Sequence, residues 1–188
     1  MNEKLEKRIL DVTIEVCAHN EPGVFSTRLI AKKADTSEGT IFLHFRNKRN
    51  LIFAAERQMG TELIAASQVI TANAPTFQDF YSGCVDYVLK RPDWVAFINT
   101  YSHVFPRPKD DYGEGSYINR LREAGEDSIR KYFPSVSAAA LLRCVSFSYR
   151  ELFRYAQLVL NGEVVDSPRF RELESNLVLH GISHYVEK

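Results

Sequence analysis

The sequence has 188 residues, 45% of them hydrophobic and 26% charged, and its 24 basic and 24 acidic residues give a net charge of zero. These values are typical of one folded domain or two small ones, and nine glycines with seven prolines are too few for a disordered or collagen-like chain. No apolar run approaches the roughly 20 residues that cross a bilayer. The N-terminus also lacks the apolar segment of a signal peptide, so we expect no membrane contact and a cytoplasmic location.

The charges are unevenly distributed along this neutral chain. Residues 26–49 hold six basic residues against two acidic ones, a net of +4, whereas residues 51–188 hold 15 basic and 17 acidic residues. A compact basic segment is typical of a surface that meets phosphates, because neutralising phosphates releases condensed counterions. A solvated basic face is the alternative interpretation.

Apolar residues recur at helical spacing through almost the whole chain, and no period-two strand pattern persists. The spacing predicts a first helix over about 3–19, ended by Glu21-Pro22-Gly23. Two short helices follow at 27–34 and 38–45, joined by the tight turn Asp35-Thr36-Ser37. The order helix, tight turn, helix is that of a helix-turn-helix motif.

Later helices have recognisable starts and ends. Asn47 is expected to cap the fourth helix, Thr76 and Asp79 resemble a capping box before the fifth, and Pro92 suits the first position of the sixth. Residues 106–115, with two prolines, are expected to form a loop. Three more helices are expected at residues 117–133, 137–161 and 168–187. The chain is therefore predicted to be all-α, with about nine helices.

No catalytic or metal constellation can be assembled from the spacing. The chain has no G-x-S-x-G elbow, H-E-x-x-H, P-loop or dinucleotide fingerprint, so we expect no enzyme and no cofactor. Cys17, Cys84 and Cys144 lie far apart without a C-x-x-C, which favours small buried side chains over a disulfide, a zinc site or a reactive thiol. His180 and His184 lie four apart without a third ligand nearby, so interface or surface histidines are favoured over a metal site.

The second short helix has the polarity that a DNA-reading helix requires. Ser37 is placed to cap it, which leaves its remaining free amides and its positive dipole end facing outward. Thr40 and His44 share one face, while Ile41 and Phe45 share another that can turn inward. Such a helix can enter the major groove while the helix before it crosses the backbone.

From Ile9 to Leu51 the sequence resembles the DNA-binding region of the tetracycline-repressor (TetR) family of bacterial transcription regulators. The likeness is carried by Ser26-Thr27-Arg28-x-Ile30-Ala31-x-x-Ala34, by Ser37-x-Gly39-Thr40-Ile41-Phe42-x-His44-Phe45 and by Lys48-x-x-Leu51. The resemblance implies a DNA-binding domain over residues 1–47 and a ligand-sensing and dimerisation domain over residues 48–188.

The resemblance also implies roles for the residues of the motif. Ser37 would cap the reading helix beside phosphate. The residues expected at base edges or the nearby backbone are Arg28, Glu38, Gly39 and Thr40. Those expected to hold phosphates are Thr27, Phe42, His44 and Lys48. For Arg28, His44 and Lys48 a solvated surface position is the alternative.

Three departures from the family pattern bear on these roles. Asp35 stands where glycine is common in a left-handed turn, and aspartate tolerates that conformation better than most residues do. Phe42 replaces the usual tyrosine and lacks its hydroxyl donor. Glu38 is acidic in a negative groove, so it either accepts from cytosine N4 or points away.

In the family, the last two helices pair across a two-fold axis, which here implies a homodimer through 137–161 and 168–187 and an operator with an inverted repeat. The residues that favour such packing are Leu141, Val145, Leu152, Tyr155 and Val159 on the first helix, and Leu173, Leu177, His180, Gly181 and His184 on the second. Intrachain core is the alternative for each of them. The resemblance further implies a repressor that a small molecule releases from its operator.

An aromatic-rich stretch is the candidate pocket for that effector, which we expect to be largely apolar or aromatic. The candidate lining residues are Phe80, Cys84, Tyr87, Trp94, Phe97, Tyr101 and His103. Plain core is the alternative for this cluster. The alternative function for the whole chain is an all-α carrier of hydrophobic ligands, or an enzyme, without DNA binding.

Overall fold

The computed structural model describes residues 3–21, 24–101 and 117–186. Over these ranges the chain forms nine helices and no strand, so the all-α prediction is confirmed. The helices are α1 (Glu3–Ala18), α2 (Thr27–Lys33), α3 (Glu38–Phe45), α4 (Lys48–Asn73), α5 (Phe77–Leu89), α6 (Pro92–Tyr101), α7 (Tyr117–Tyr132), α8 (Ala138–Leu160) and α9 (Pro168–Val186). The loop expected at residues 106–115 lies outside the described residues.

Side-chain caps fix where several helices begin. The hydroxyls of Ser26, Ser37 and Ser137 each accept a hydrogen bond from a backbone N–H three residues later, at the starts of α2, α3 and α8. At α5, the Thr76 hydroxyl accepts from the Asp79 amide while the Asp79 carboxylate accepts from the Thr76 amide. The predicted capping box is therefore confirmed with Asp in place of Glu.

Packing divides the described residues into two compact units, of which the first comprises residues 3–21, 24–60 and 92–101. In this unit α1 packs against α6 and α2, and α2 packs against α3. Its core holds the apolar faces of α1, α2, α3 and the start of α4, with Ile9, Ile30, Ile41 and Leu51 almost fully buried. The functional boundary between residues 47 and 48 stays a prediction.

The second unit comprises residues 61–91 and 117–186. Here α8 packs against α5, α7 and α9, and α5 also packs against α9. Rings from α5 and α7 meet in the core, where Phe77 lies 5.8 Å from Tyr132 and 5.9 Å from Phe80, centroid to centroid. No helix in the described ranges has the length and apolar character that a membrane span requires.

The three cysteines are free and buried, as the sequence predicted. Burial raises the pKa of the Cys17 and Cys84 thiols to about 12. At neutral pH these thiols are therefore protonated and behave as small apolar side chains.

Candidate nucleic-acid interface

The turn between α2 and α3 holds the two helices of the motif together. Asp35 has a φ of 51°, which confirms the left-handed conformation expected at this position. Just after it, the Thr36 amide donates to the Ala31 carbonyl at 2.9 Å. Because Ala34 and Ile41 are also buried, the turn is fixed by packing on both sides as well as by hydrogen bonds.

The N-terminal end of α3 is tied to α2 through side chains. The Ser37 hydroxyl accepts from the Thr40 amide at 3.0 Å and lies 2.9 Å from the Thr40 hydroxyl. The hydroxyl of Thr27, a buried residue, donates to a Glu38 carboxylate oxygen at 2.6 Å. Glu38 is thus held against α2 in the free protein, and the phosphate contact of Thr27 stays a prediction.

Gly39 occupies an ordinary helical position in the first turn of α3. A Cβ placed there would lie 3.6 Å from the Ser37 hydroxyl, an ordinary van der Waals contact. Neither backbone conformation nor internal packing therefore requires glycine. A residue without a side chain leaves the backbone of α3 open to close approach from outside.

The outer face of α3 (Gly39, Phe42, Leu43 and His44) is open to solvent. Phe42 is 40% exposed, Leu43 is 78% exposed, and His44 is also exposed. Leu43 is not among the residues to which the motif assigns a role. The signal was present in the helical period, because a residue two positions from a buried one lies on the opposite side of a helix.

A strained corner joins α3 to α4. Arg46 has φ 66° and ψ −43°, and the Asn47 amide donates across it to the Phe45 carbonyl at 2.8 Å, which is the geometry of a classic γ-turn. The Asn47 side chain then accepts from the Asn50 amide at 2.8 Å and caps α4, as predicted. The corner fixes how the first turn of α4 follows α3.

Lys48, the first residue of α4, makes contacts that its sequence position did not indicate. Its ammonium donates to the Phe25 carbonyl at 2.9 Å and lies 5.0 Å from the centroid of the Phe25 ring. Lys48 therefore holds the segment before α2 against the start of α4. An ammonium has three N–H donors, so the remaining ones are available to a phosphate.

Exposed basic side chains flank the two short helices. Arg28, Lys32, Arg46 and Lys48 are all exposed. Lys33 instead pairs with Glu15 of α1 at 2.6 Å. The net positive charge counted in this part of the sequence is therefore displayed at the surface around α2 and α3.

The residues expected to line an effector pocket fall in both packing units. Phe80 and Cys84 are buried in the second unit. The half-buried Tyr87 donates a hydrogen bond from its hydroxyl to the Glu62 carbonyl at 3.5 Å. Three others, Trp94, Phe97 and Tyr101, are buried in the first unit. There the Tyr101 ring stacks 5.5 Å from Phe97 and meets Phe25 edge-on at 6.0 Å. His103 lies outside the described residues.

A cleft of about 420 Å³ opens in the second unit between the start of α5 and the start of α9. The residues lining it are Gln78, Asp79, Ser82, Asp166, Ser167, Pro168 and Arg171. Arg171 donates two hydrogen bonds to Asp166, at 2.7 and 2.5 Å, and one to the Ser82 hydroxyl at 2.9 Å. The Arg171 guanidinium holds the pKa of Asp166 below its usual value, and burial, with the hydrogen bond to Asp166, raises the pKa of Tyr155 to about 12.

The two helices expected to form a dimer interface differ in what they expose. On α8, Leu152 and Tyr155 are buried in the core of the second unit, so these two residues follow the intrachain alternative. On α9, apolar side chains at helical spacing remain exposed, with Leu173 at 54% and Leu177 at 50%. The side chains of Leu141 and His184 lie outside the described residues.

The helix-turn-helix segment matches a known family model. The sequence profile described as bacterial regulatory proteins, tetR family, matches residues 9–55, which confirms the resemblance drawn from the motif. No curated protein matches the sequence.

Solved structures match almost the whole chain in fold. A TetR family transcription regulator from Marinobacter aquaeolei has a TM-score of 0.68 at 18% identity, covering 94% of both chains. A regulator described as tetR family from Shewanella sp. PV-4 has a TM-score of 0.67 at 17% identity, covering 94% of this chain and 97% of the other. The regulator FadR from Bacillus subtilis, solved with stearoyl-CoA, has a TM-score of 0.64 at 16% identity, covering 92% and 96%.

Proposed function

We propose, from the premise that residues 9–55 are the DNA-binding helix-turn-helix domain of the tetR family, that this protein is a homodimeric transcriptional repressor released from its operator by a small molecule. The observation that carries the DNA-binding part is the surface of α3. That helix is anchored to α2 by Thr27 and Glu38 and to α4 by the corner at Arg46, while its outer face stays open. A reading helix needs this combination of fixed orientation and free surface.

In the proposed complex, α3 lies in the major groove, and the basic side chains around it contact the phosphates. The capped N-terminus of α3 and the first turn of α4 present free amides, which favour anions. Arg28 has the fork geometry that reads guanine O6 and N7, and Lys48 supplies a point charge to the backbone. We propose that Arg28 contributes to sequence preference and Lys48 to affinity for all sequences.

A homodimer is supported by the exposed apolar stripe on α9. Phe170, Leu173 and Leu177 recur at three and four residues and are each at least 42% exposed. An exposed apolar patch on a folded unit is typical of a protein interface. Two copies related by a two-fold axis would present two reading helices, and the operator would then be an inverted repeat with half-sites about one helical turn apart.

The effector is proposed to bind in the second unit. Support comes from the aromatic rings of Phe77, Phe80, Tyr81 and Tyr132, which pack together in this unit and are side chains of the kind that usually lines small-molecule sites. The Bacillus subtilis neighbour was solved with stearoyl-CoA, and for this chain we propose a largely apolar or aromatic effector. Release requires that the effector bind the DNA-free arrangement better than the DNA-bound one.

Fluorescence anisotropy with a labelled duplex, repeated at several salt concentrations, tests DNA binding. The Lys48→Gln variant removes a positive charge but keeps a hydrogen-bond donor, so it should weaken binding to every sequence and reduce the slope of log K against log salt by about 1. Lys90→Gln, at the C-terminal end of α5 in the second unit, removes the same charge and should leave the slope unchanged. Equal slopes for wild type and Lys48→Gln would contradict the proposed docking.

A wild-type protein that binds hydrophobic ligands but no duplex would favour the all-α carrier instead. Thermal unfolding of each variant, measured beside the titrations, separates loss of a contact from loss of the fold.

A further inference from the structure

One side chain on the outer face of α3 has chemistry that phosphate binding does not use. Leu43 is 78% exposed, the highest exposed fraction among the large hydrophobic residues of the described ranges. It follows the buried Ile41 by two residues and precedes the buried Phe45 by two. At about 100° per residue, Leu43 therefore points about 200° from one and 160° from the other, directly away from the core.

Gly39 lies on the same side of α3 as Leu43 and allows this side to come close to DNA. Four residues earlier on the same line of α3, Gly39 leaves the helix surface without a side chain and without an internal reason for glycine. If α3 enters the major groove, this end can approach the base edges closely. Leu43, the outermost side chain of the helix, would then be carried to the floor of the groove.

Leucine has no hydrogen-bond donor or acceptor in its side chain, so it cannot read the polar pattern of a base edge. The apolar group that the major groove presents is the C5 methyl of thymine. We infer that Leu43 is a specificity-determining residue that packs against a thymine methyl in each half-site. This inference rests on the proposed function, because it places α3 in the major groove.

The test removes the methyl and nothing else. Duplexes are first selected from a random library by the full-length wild-type protein, and each thymine of the selected site is then replaced singly by deoxyuridine. For wild-type protein, one or two replacements per half-site should weaken binding about 3–10-fold, the size expected for losing one buried methyl contact. With Leu43→Ala, the same replacements should weaken binding no further, although the thymine duplex itself binds less tightly.

Leu29→Ala is the matched control, because Leu29 is a 38% exposed leucine on α2 in the same unit. This variant should keep the full loss at the deoxyuridine positions. Both variants replace an exposed leucine by the residue with the highest helix propensity, and their melting curves should confirm folding.

Several results would overturn the inference. Losses at the deoxyuridine positions that are equal in wild type and Leu43→Ala would show that another residue reads the methyl. Selected half-sites without thymine would show that no thymine methyl is read, by Leu43 or by any other residue. Failure of the wild-type protein to enrich any duplex would overturn the proposed function and this inference with it, so the two failures are distinguishable.

Discussion

Substituting Gly39 by alanine separates the stability of α3 from its role at DNA. The backbone at Gly39 is helical, and the new Cβ would meet only the Ser37 hydroxyl, at 3.6 Å. Alanine should therefore stabilise the folded state by about 0.4–1 kcal/mol, because it restricts the unfolded chain. For a chain of this size the midpoint of thermal unfolding should rise by about 1–4 °C.

The same methyl should weaken DNA binding. If the backbone of α3 approaches the base edges at Gly39, the added Cβ occupies space that the duplex needs, and affinity should fall about tenfold or more, which is about 1.4 kcal/mol. Anisotropy titration against the selected duplex and thermal unfolding by circular dichroism measure the two effects on the same preparation. A variant that is more stable and binds DNA as tightly as wild type would refute the close approach.

Gly162→Ala provides the opposite control. Gly162 follows α8 with a φ of +74°, and its added Cβ would meet nothing within 4 Å. Its cost is therefore a backbone cost of about 1 kcal/mol, and this variant should unfold at lower temperature while the folded protein keeps its DNA affinity. If Gly39→Ala raises the unfolding temperature and Gly162→Ala lowers it, while only Gly39→Ala weakens DNA binding, then Gly39 is the glycine that faces DNA.

Three further outcomes follow from the geometry. Arg46→Gly should stabilise the protein by about 1 kcal/mol in urea unfolding, because glycine accepts a φ of 66° without strain, and an unchanged midpoint would contradict a strained γ-turn. Hydrogen bonds from Arg171 lower the pKa of Asp166, so the stabilisation from this pair is present above the unfolded pKa of about 4 and is lost as the pH falls through the lower folded value. The stability advantage of wild type over Asp166→Asn should therefore shrink below about pH 4. A difference that stays constant with pH would contradict the pairing. Leu177→Glu places a charge in the exposed apolar stripe of α9 and should convert the dimer to a monomer, as measured by analytical ultracentrifugation. A monomeric wild type, or a variant that stays dimeric, would contradict an interface through α9.

The helix-turn-helix could be predicted because its signals are local. Caps at Ser26 and Ser37, inward residues at Ile30 and Ile41, and the turn at Asp35 each depend on neighbours within a few positions. Local rules of this kind transfer from sequence to structure with little help from distant contacts. Their agreement over one short segment explains why the motif was recognisable.

Contacts between distant segments could not be predicted. The hydrogen bond from Lys48 to the Phe25 carbonyl spans 23 positions, and no pattern in the sequence marks its partner. The γ-turn at Arg46 likewise depends on how α3 and α4 pack, and no local residue pattern marks it. Leucine is most often a core residue, so composition alone pointed away from the exposed position that Leu43 occupies.

The aromatic residues show the same limit. Phe80 and Trp94 are close in sequence and equally buried, yet α5 packs in the second unit and α6 in the first. Proximity along the chain grouped them as one cluster, whereas packing is decided by which apolar faces fit together. For the same reason Leu152 and Tyr155 of α8 belong to the core, whereas Leu173 and Leu177 of α9 remain exposed.

Amide hydrogen exchange of the full-length protein, with and without saturating selected duplex, tests most directly whether α3 lies against DNA. Peptides that cover residues 26–50 should exchange more slowly in the complex, because the duplex shields the capped start of α3 and the first turn of α4. A complex that forms while these peptides exchange at the same rate as in free protein would contradict the placement of α3 in the groove.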